Sequence, residues 1–89
     1  MKNFKLPDGW HIEVSKRKNK KYDVYDDNND YVLSFGDRRY EQYYDKIGYY
    51  KHLNHGDKER RKNYRARAEG IGHLDDKYSA NYYSYHYLW

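Results

Sequence analysis

The first half of the chain contains three short runs with the residue pattern of β-strands. Trp10, Ile12 and Val14 are separated by polar residues, which is the period of a strand that buries one face. Residues 21–25 and 31–35 are two further short runs that mix tyrosine, valine and phenylalanine with polar residues. Polar, turn-forming residues separate the three runs. The pattern predicts three short strands joined by two short loops, which is an antiparallel meander.

The second half predicts one helix and two segments of another kind. Asp57 is a typical N-cap residue and Gly70 a typical C-terminal residue, so we predict a helix over 58–69. Residues 39–55 show no consistent period. Tyrosines on alternate positions of residues 81–89 predict a final strand or an ordered tail.

The composition leaves little aliphatic material for a core. Leucine, isoleucine, valine and phenylalanine number only thirteen among 89 residues, whereas tyrosine alone numbers 14. We therefore expect tyrosine rings to complete the core, with Tyr22, Tyr31 and Tyr64 among them. The predicted fold is α+β and forms a single small domain over residues 1–89. It is a small three-stranded antiparallel meander with a basic helix in the C-terminal half and an aromatic final strand or tail.

The charges are sorted into blocks of opposite sign. Residues 16–21 carry five positive charges and no acid, residues 23–30 carry four aspartates, and residues 57–69 have a balance of +3. Lysine and arginine neutralise phosphates and release counterions, so the two basic blocks predict nucleic-acid binding. The predicted contacts are Lys16, Arg17, Lys18, Lys20, Lys21, Arg61, Lys62 and Arg65. The alternative is that the lysines only keep the hairpin soluble and that the helix charges form a solvated face. The aspartates of the turn at 26–30 would also repel a phosphate backbone that approached too closely.

The aromatic residues at the end of the sequence have two interpretations. Tyr83, Tyr85, Tyr87 and Trp89 either wrap over the sheet and helix as core, or form an uncharged partner surface for another protein. Measured burial of these four side chains distinguishes the two.

Catalytic and metal-binding chemistry has little support. The chain has no cysteine, no nucleophile motif and no glycine-rich phosphate loop. His52, His55 and Asp57 have ligand-type spacing, but a polar loop followed by a helix cap explains them more simply. We expect no enzyme activity, no metal, no cofactor and no small-molecule substrate. No apolar run approaches a membrane span and residues 1–15 lack a signal-peptide pattern, so we expect no membrane partner.

Four segments together resemble a small, uncharacterised protein family of large DNA viruses and phages. They are Lys21-Tyr22-x-Val24, Phe35-Gly36-Asp37, Asp57-x-x-Arg60-Arg61-x-Asn63-Tyr64-x-x-Arg67 and Ser84-x-x-Tyr87-Leu88-Trp89. The chain departs from the pattern at Ser34 and Ala68, where the family pattern has histidine. The resemblance implies a viral context, in the virion or the host cytoplasm, and marks Arg60, Arg61, Tyr64 and Arg67 as signature residues without assigned roles.

Three hypotheses follow from these patterns. The first is a non-enzymatic viral protein that binds nucleic acid through the basic hairpin and helix. The second is a minor or cementing structural protein of a virion that contacts the capsid or another protein through its tyrosine-rich surface. The third is a phage-encoded inhibitor of a host nuclease.

Overall fold

The computed structural model describes residues 3–89 and shows an α+β fold with a four-stranded antiparallel sheet and two helices. The strands are β1 (Phe4–Lys5), β2 (His11–Val14), β3 (Lys20–Tyr25) and β4 (Tyr31–Asp37), and they lie in this order in the sheet. The helices are α1 (Lys58–Ile71) and α2 (Ala80–Tyr87), and a short 3₁₀ turn covers Lys51–Leu53.

The predicted meander is confirmed in β2, β3 and β4, but the number of strands was wrong. The additional strand, β1, pairs Phe4 with Ile12 and Lys5 with His11. A tight turn brings it back onto β2, because the Leu6 amide donates to the Trp10 carbonyl (2.8 Å) and Gly9 takes a positive φ of 87°. Two residues are too few to show an alternation, so the pattern did not reveal this strand.

One face of the sheet forms the core. The register places Val24 between Ile12 and Leu33, and Tyr22 between Val14 and Phe35, on the same side of three strands. Ile12, Tyr22 and Val24 are fully buried. Tyr22 was correctly predicted as core, whereas Tyr31 is 44% exposed at the start of the edge strand β4.

The predicted final strand is a helix. Within α2, Tyr83 stacks on Phe35 with ring centroids 5.3 Å apart, and Tyr87 follows one turn later. Tyr85 points elsewhere, since its hydroxyl donates to a carboxylate oxygen of Glu69 on α1 (2.7 Å). Alternate tyrosines therefore do not share a face, because in a helix the side chains that share one are three or four residues apart.

The helix α1 begins as predicted and ends two residues later than predicted. The Asp57 carboxylate accepts from the amides of Glu59 (3.0 Å) and Arg60 (3.2 Å), which confirms it as the N-cap. Gly70 lies within the helix, and Gly72 is the C-cap residue, with φ of 87°. Tyr64 is half-buried and stacks on Trp89 at 4.3 Å between centroids.

Residues 38–57 are mostly irregular, and a buried polar network organises them. The carboxylate of Asp45 is fully buried and accepts hydrogen bonds from the Tyr22 hydroxyl and from the amides of Ile47, Gly48 and Tyr50. Four donors satisfy a buried charge that would otherwise be costly. This segment is therefore fixed to β3 by one side chain.

A second part of the network anchors the same segment through Gln42. Its side-chain amide nitrogen donates to the Tyr50 carbonyl (2.8 Å) and to the Asn54 side-chain oxygen (2.6 Å). Its side-chain oxygen accepts from the ammonium of Lys21. Gln42 therefore binds this segment to Lys21 of β3 as well.

Candidate nucleic-acid interface

The loop between β2 and β3 presents the first basic block at one end of the sheet. Lys16, Arg17, Lys18 and Lys20 are exposed. The loop turns because Asn19 takes a positive φ of 64° and the Lys20 amide donates to the Arg17 carbonyl (3.2 Å). The four cationic side chains therefore extend from a short, hydrogen-bonded turn.

A second basic pair lies at the same end of the sheet. The Arg38 amide donates to the Asn19 carbonyl (2.9 Å), and Asp37 pairs with Lys20 across β3 and β4. Arg38 and Arg39 are exposed next to the hairpin loop. We call this set the basic end, and its members are Lys16, Arg17, Lys18, Lys20, Arg38 and Arg39. The sequence pattern did not predict the two arginines as contacts, because the third strand was expected to end at residue 35. A strand that continues to Asp37 places Arg38 and Arg39 beside the hairpin loop.

The acid at the basic end is neutralised by its own partner. Two guanidinium nitrogens of Arg39 donate to the two carboxylate oxygens of Asp37 at 3.0 and 2.7 Å. These hydrogen bonds lower the pKa of Asp37 to about 2, so it stays ionised and paired. Lys16, Lys18 and Lys20 form no ion pair with any residue from 3 to 89. Their charges remain available to an anion.

The acidic turn lies at the opposite end of the strands. The basic loop precedes Lys20 and the turn follows Tyr25, so the whole of β3 separates them. Five steps of about 3.3 Å give a separation of roughly 16 Å. This distance exceeds the Debye length of about 8 Å at physiological ionic strength. The aspartates of residues 26–30 therefore do not repel a phosphate bound at the basic end.

A cleft leads from the basic end towards the helices. Its volume is about 450 Å³, and the residues that line it include Lys20, Tyr40, Tyr64, Arg67 and Trp89. No acid within the described part of the chain pairs with Arg67, and Glu41 at the cleft is bound by Arg60 (2.9 Å). The cleft is therefore lined by a cation from each basic block, Lys20 and Arg67, together with aromatic rings.

Two of the predicted helix contacts are held within the protein. Arg61 and Arg65 both donate to the main-chain oxygen of Trp89, at 2.9 and 3.0 Å. The guanidinium of Arg65 also lies 4.1 Å from the ring centroid of Tyr85. These two arginines fix Trp89 and the end of α2 on α1. Of the three predicted helix contacts, only Lys62 is exposed, whereas Arg61 and Arg65 are half-buried.

Lys21, one of the predicted hairpin contacts, is buried in the protein interior. It is 2% exposed, and its ammonium donates to the Tyr40 carbonyl (3.0 Å) and to Gln42. Burial lowers the pKa of Lys21 to about 8, against the attraction of Asp45 and Asp37. Lys21 is therefore part of the buried network and is not available to a phosphate at the surface.

The predicted aromatic partner surface is also largely interior. Tyr83 and Tyr85 are buried, and Tyr87 and Trp89 are partly buried. The strip accordingly belongs mainly to the core, as the first of the two interpretations has it. The large exposed aromatic side chains of the described residues are Tyr31, Tyr40, Tyr44, Tyr49 and Tyr78.

The histidine-rich segment before α1 serves local structure. The Asp57 amide donates to Nδ1 of His55 (2.9 Å), and burial lowers the pKa of His55. Within residues 3–89 no three histidine, cysteine or acidic side chains are arranged to hold a metal ion. None of the helices in this range is long and apolar enough to span a bilayer.

Comparisons of the chain with protein-family models, with curated proteins and with solved structures find no match.

Proposed function

We propose that the protein is a non-enzymatic, virus-type domain that binds nucleic acid at its basic end. The observation that carries the proposal is the convergence of Lys16, Lys18 and Lys20 with Arg38 and Arg39 on one end of the sheet. Clustered exposed cations attract phosphates, whatever the base sequence, and of these five side chains only Arg39 forms an ion pair within the described residues, with Asp37. The proposed contacts therefore add Arg38 and Arg39 to those expected from the sequence. They leave out Lys21, Arg61 and Arg65, whose side chains are bound within the protein.

The cleft extends this surface towards α1. Arg67 and Lys20 both line the cleft, and Tyr40, which also lines it, is 65% exposed. Aromatic rings beside a basic groove are typical of single-strand binders, in which stacking contributes about 1–3 kcal/mol per base. The proposed ligand is therefore single-stranded nucleic acid, whose unpaired bases can stack on aromatic rings.

Charge reversal tests the proposal. We expect Lys18→Glu to weaken binding to a labelled single-stranded oligonucleotide about tenfold at low salt, because a phosphate contact becomes repulsive. Lys5→Glu is the matched control, since Lys5 is exposed on β1, at the far edge of the sheet. Fluorescence polarisation measures both. Equal loss in both variants, or no binding by the unmodified protein at low salt, would overturn the proposal.

A structural role in a virion is the second candidate, and one observation favours it. Tyr40, Tyr44 and Tyr49 are exposed within one irregular segment and none belongs to the core. Exposed tyrosines are frequent in protein interfaces. Mass spectrometry of purified particles tests this role, and absence at stoichiometric levels removes it. Inhibition of a host nuclease, the third candidate, requires co-purification with the enzyme and a lower cleavage rate.

A further inference from the structure

The sheet has a second face that no helix covers. Of the two helices only α2 contacts the sheet, and Tyr83 of α2 lies on the core face against Phe35. The register places Glu13, Asp23 and Ser34 side by side on the opposite face. We call this the open face.

A connected set of polar and aromatic groups occupies the open face. The Ser34 hydroxyl donates to Oδ1 of Asp23 (2.6 Å), and the Ser34 and Tyr31 hydroxyls lie 2.8 Å apart. The guanidinium of Arg17 lies 3.8 Å from the ring centroid of Tyr31, and its Nε lies 3.7 Å from Asp23 Oδ1. These contacts hold the Arg17 side chain over the open face.

A pocket opens among these groups, next to the basic end. Its volume is about 410 Å³, and it is lined by Glu13, Val14, Lys16, Arg17, Asp23 and Tyr25. Asp23 is 5% exposed, so this carboxylate is a desolvated acceptor, whereas the side chain of Glu13 is 41% exposed. Oδ2 of Asp23 and Oε1 of Glu13 take part in none of the hydrogen bonds described for this part of the chain. Two carboxylates, two cations and an aromatic ring thus share one small cavity.

We propose that this pocket binds a guanine base of a single-stranded nucleic acid, an inference that rests on the proposed function. Guanine carries two adjacent N–H donor groups on its Watson–Crick edge, which suit a carboxylate, and two acceptors at O6 and N7, which suit arginine or lysine. Thymine offers a single donor. Asp23 and Glu13 are the acceptors, Arg17 and Lys16 are the donors, and Tyr25 provides the ring beside which the base lies.

The position of the pocket fits a strand that is already held by its phosphates. Lys16 and Arg17 belong both to the basic end and to the pocket wall, so a phosphate at the loop places its neighbouring base at the pocket mouth. A duplex does not expose the Watson–Crick edge of guanine, so the base must come from a single strand. The carboxylates of Asp23 and Glu13 repel phosphate, so a base enters the pocket and the phosphate backbone of the strand stays outside it.

The test compares three oligothymidylates that carry guanine, hypoxanthine or thymine at one central position. We expect the guanine strand to bind about tenfold more tightly than the all-thymine strand. The hypoxanthine strand, which lacks the N2 amino donor, should fall between them. Equal affinity for all three overturns the guanine pocket and leaves nucleic-acid binding intact, whereas no binding to any strand overturns both.

Two variants locate the preference at the pocket. Glu13→Gln and Asp23→Asn should each reduce the ratio of guanine to thymine affinity towards one, and this ratio cancels any general effect of losing a negative charge. Asp27→Asn is the control, because it makes the same change of charge on an exposed residue in the distant turn. If Asp23→Asn does not fold, the Glu13→Gln ratio and the hypoxanthine strand still decide. An unchanged ratio in Glu13→Gln overturns the assignment.

Discussion

Gly36 is the glycine whose replacement is most restricted by its neighbours. It takes a positive φ of 76°, and a Cβ atom there would lie 3.0 Å from Cβ and Cδ of Lys21 and 3.1 Å from Cδ1 of Leu88. We expect Gly36→Ala to lower the free energy of unfolding by about 3 kcal/mol, from left-handed strain and overpacking together. Urea denaturation measures this change.

Gly56→Ala separates the two causes. Gly56 also has a positive φ, of 64°, but apart from its two chain neighbours no residue from 3 to 89 has an atom within 4 Å of the place that an alanine methyl group would take. Its replacement should therefore cost only the torsional part, about 1–2 kcal/mol. Equal losses in the two variants would show that contacts with Lys21 and Leu88 contribute nothing.

Lys21 should make stability depend on pH in an unusual direction. Burial lowers its pKa to about 8 in the folded protein, from an ordinary value of 10.5. Between these values the unfolded chain binds more protons, so the free energy of unfolding rises with pH. Above about pH 10 the effect reverses, because burial raises the pKa of Tyr22 and Tyr83 and only the unfolded chain loses those protons.

The Lys21→Met variant isolates this contribution. It removes the titrating group and keeps most of the apolar stem, so the rise in stability between about pH 8 and 10 should disappear. Denaturant unfolding at several pH values gives the slope for both proteins. The same slope in the variant and in the unmodified protein would show that Lys21 does not titrate in this range.

The two helices offer a matched pair of N-cap substitutions. The Asp57 side chain accepts two amide hydrogen bonds at the start of α1, whereas the Ser79 side chain makes no capping bond at the start of α2. We expect Asp57→Ala to lower the free energy of unfolding by about 1 kcal/mol and Ser79→Ala to change it by much less. A loss in Ser79→Ala as large as in Asp57→Ala would contradict the capping assignment.

The elements that could be predicted are those with local signals. The strand β2 alternates between apolar and polar residues, β3 and β4 are short runs of strand-forming residues between turn-forming ones, and Asp57 marks the start of α1. The prediction of a strand or tail in place of α2 was wrong because Tyr83, Tyr85 and Tyr87 have the spacing of a strand. The helix is stabilised by packing against Phe35 and α1, which the local sequence does not show.

The irregular segment and the site depended on contacts that are distant in the sequence. Asp45 binds Tyr22, and the Arg38 amide binds Asn19, so the position of residues 38–57 is set by partners that no local period indicates. The hairpin lysines, in contrast, could be predicted, because they form one charged block in the sequence. The buried state of Lys21, the role of Arg61 and Arg65 in fixing Trp89, and the pocket at Asp23 were not.

At the scale of the whole molecule, the net charge of +4 matters less than its separation along the sheet. The basic end and the aspartates of residues 26–30 lie at opposite ends of β3. Such a charge distribution orients the molecule as it approaches a polyanion, because the positive end is attracted and the negative end repelled. Binding should therefore involve one end of the molecule, and a limited number of phosphates.

The salt dependence of the proposed nucleic-acid binding would give the number of phosphates that are contacted. Each phosphate contact on a single strand contributes about 0.7 to the slope of log affinity against log salt. Lys18→Gln should reduce the magnitude of the slope by about that amount. Asp27→Asn raises the net charge by one at the far end and should leave the slope unchanged. A slope that follows net charge in both variants would mean that the whole surface acts as a diffuse cation, whereas a change in Lys18→Gln alone locates the contact at the basic end.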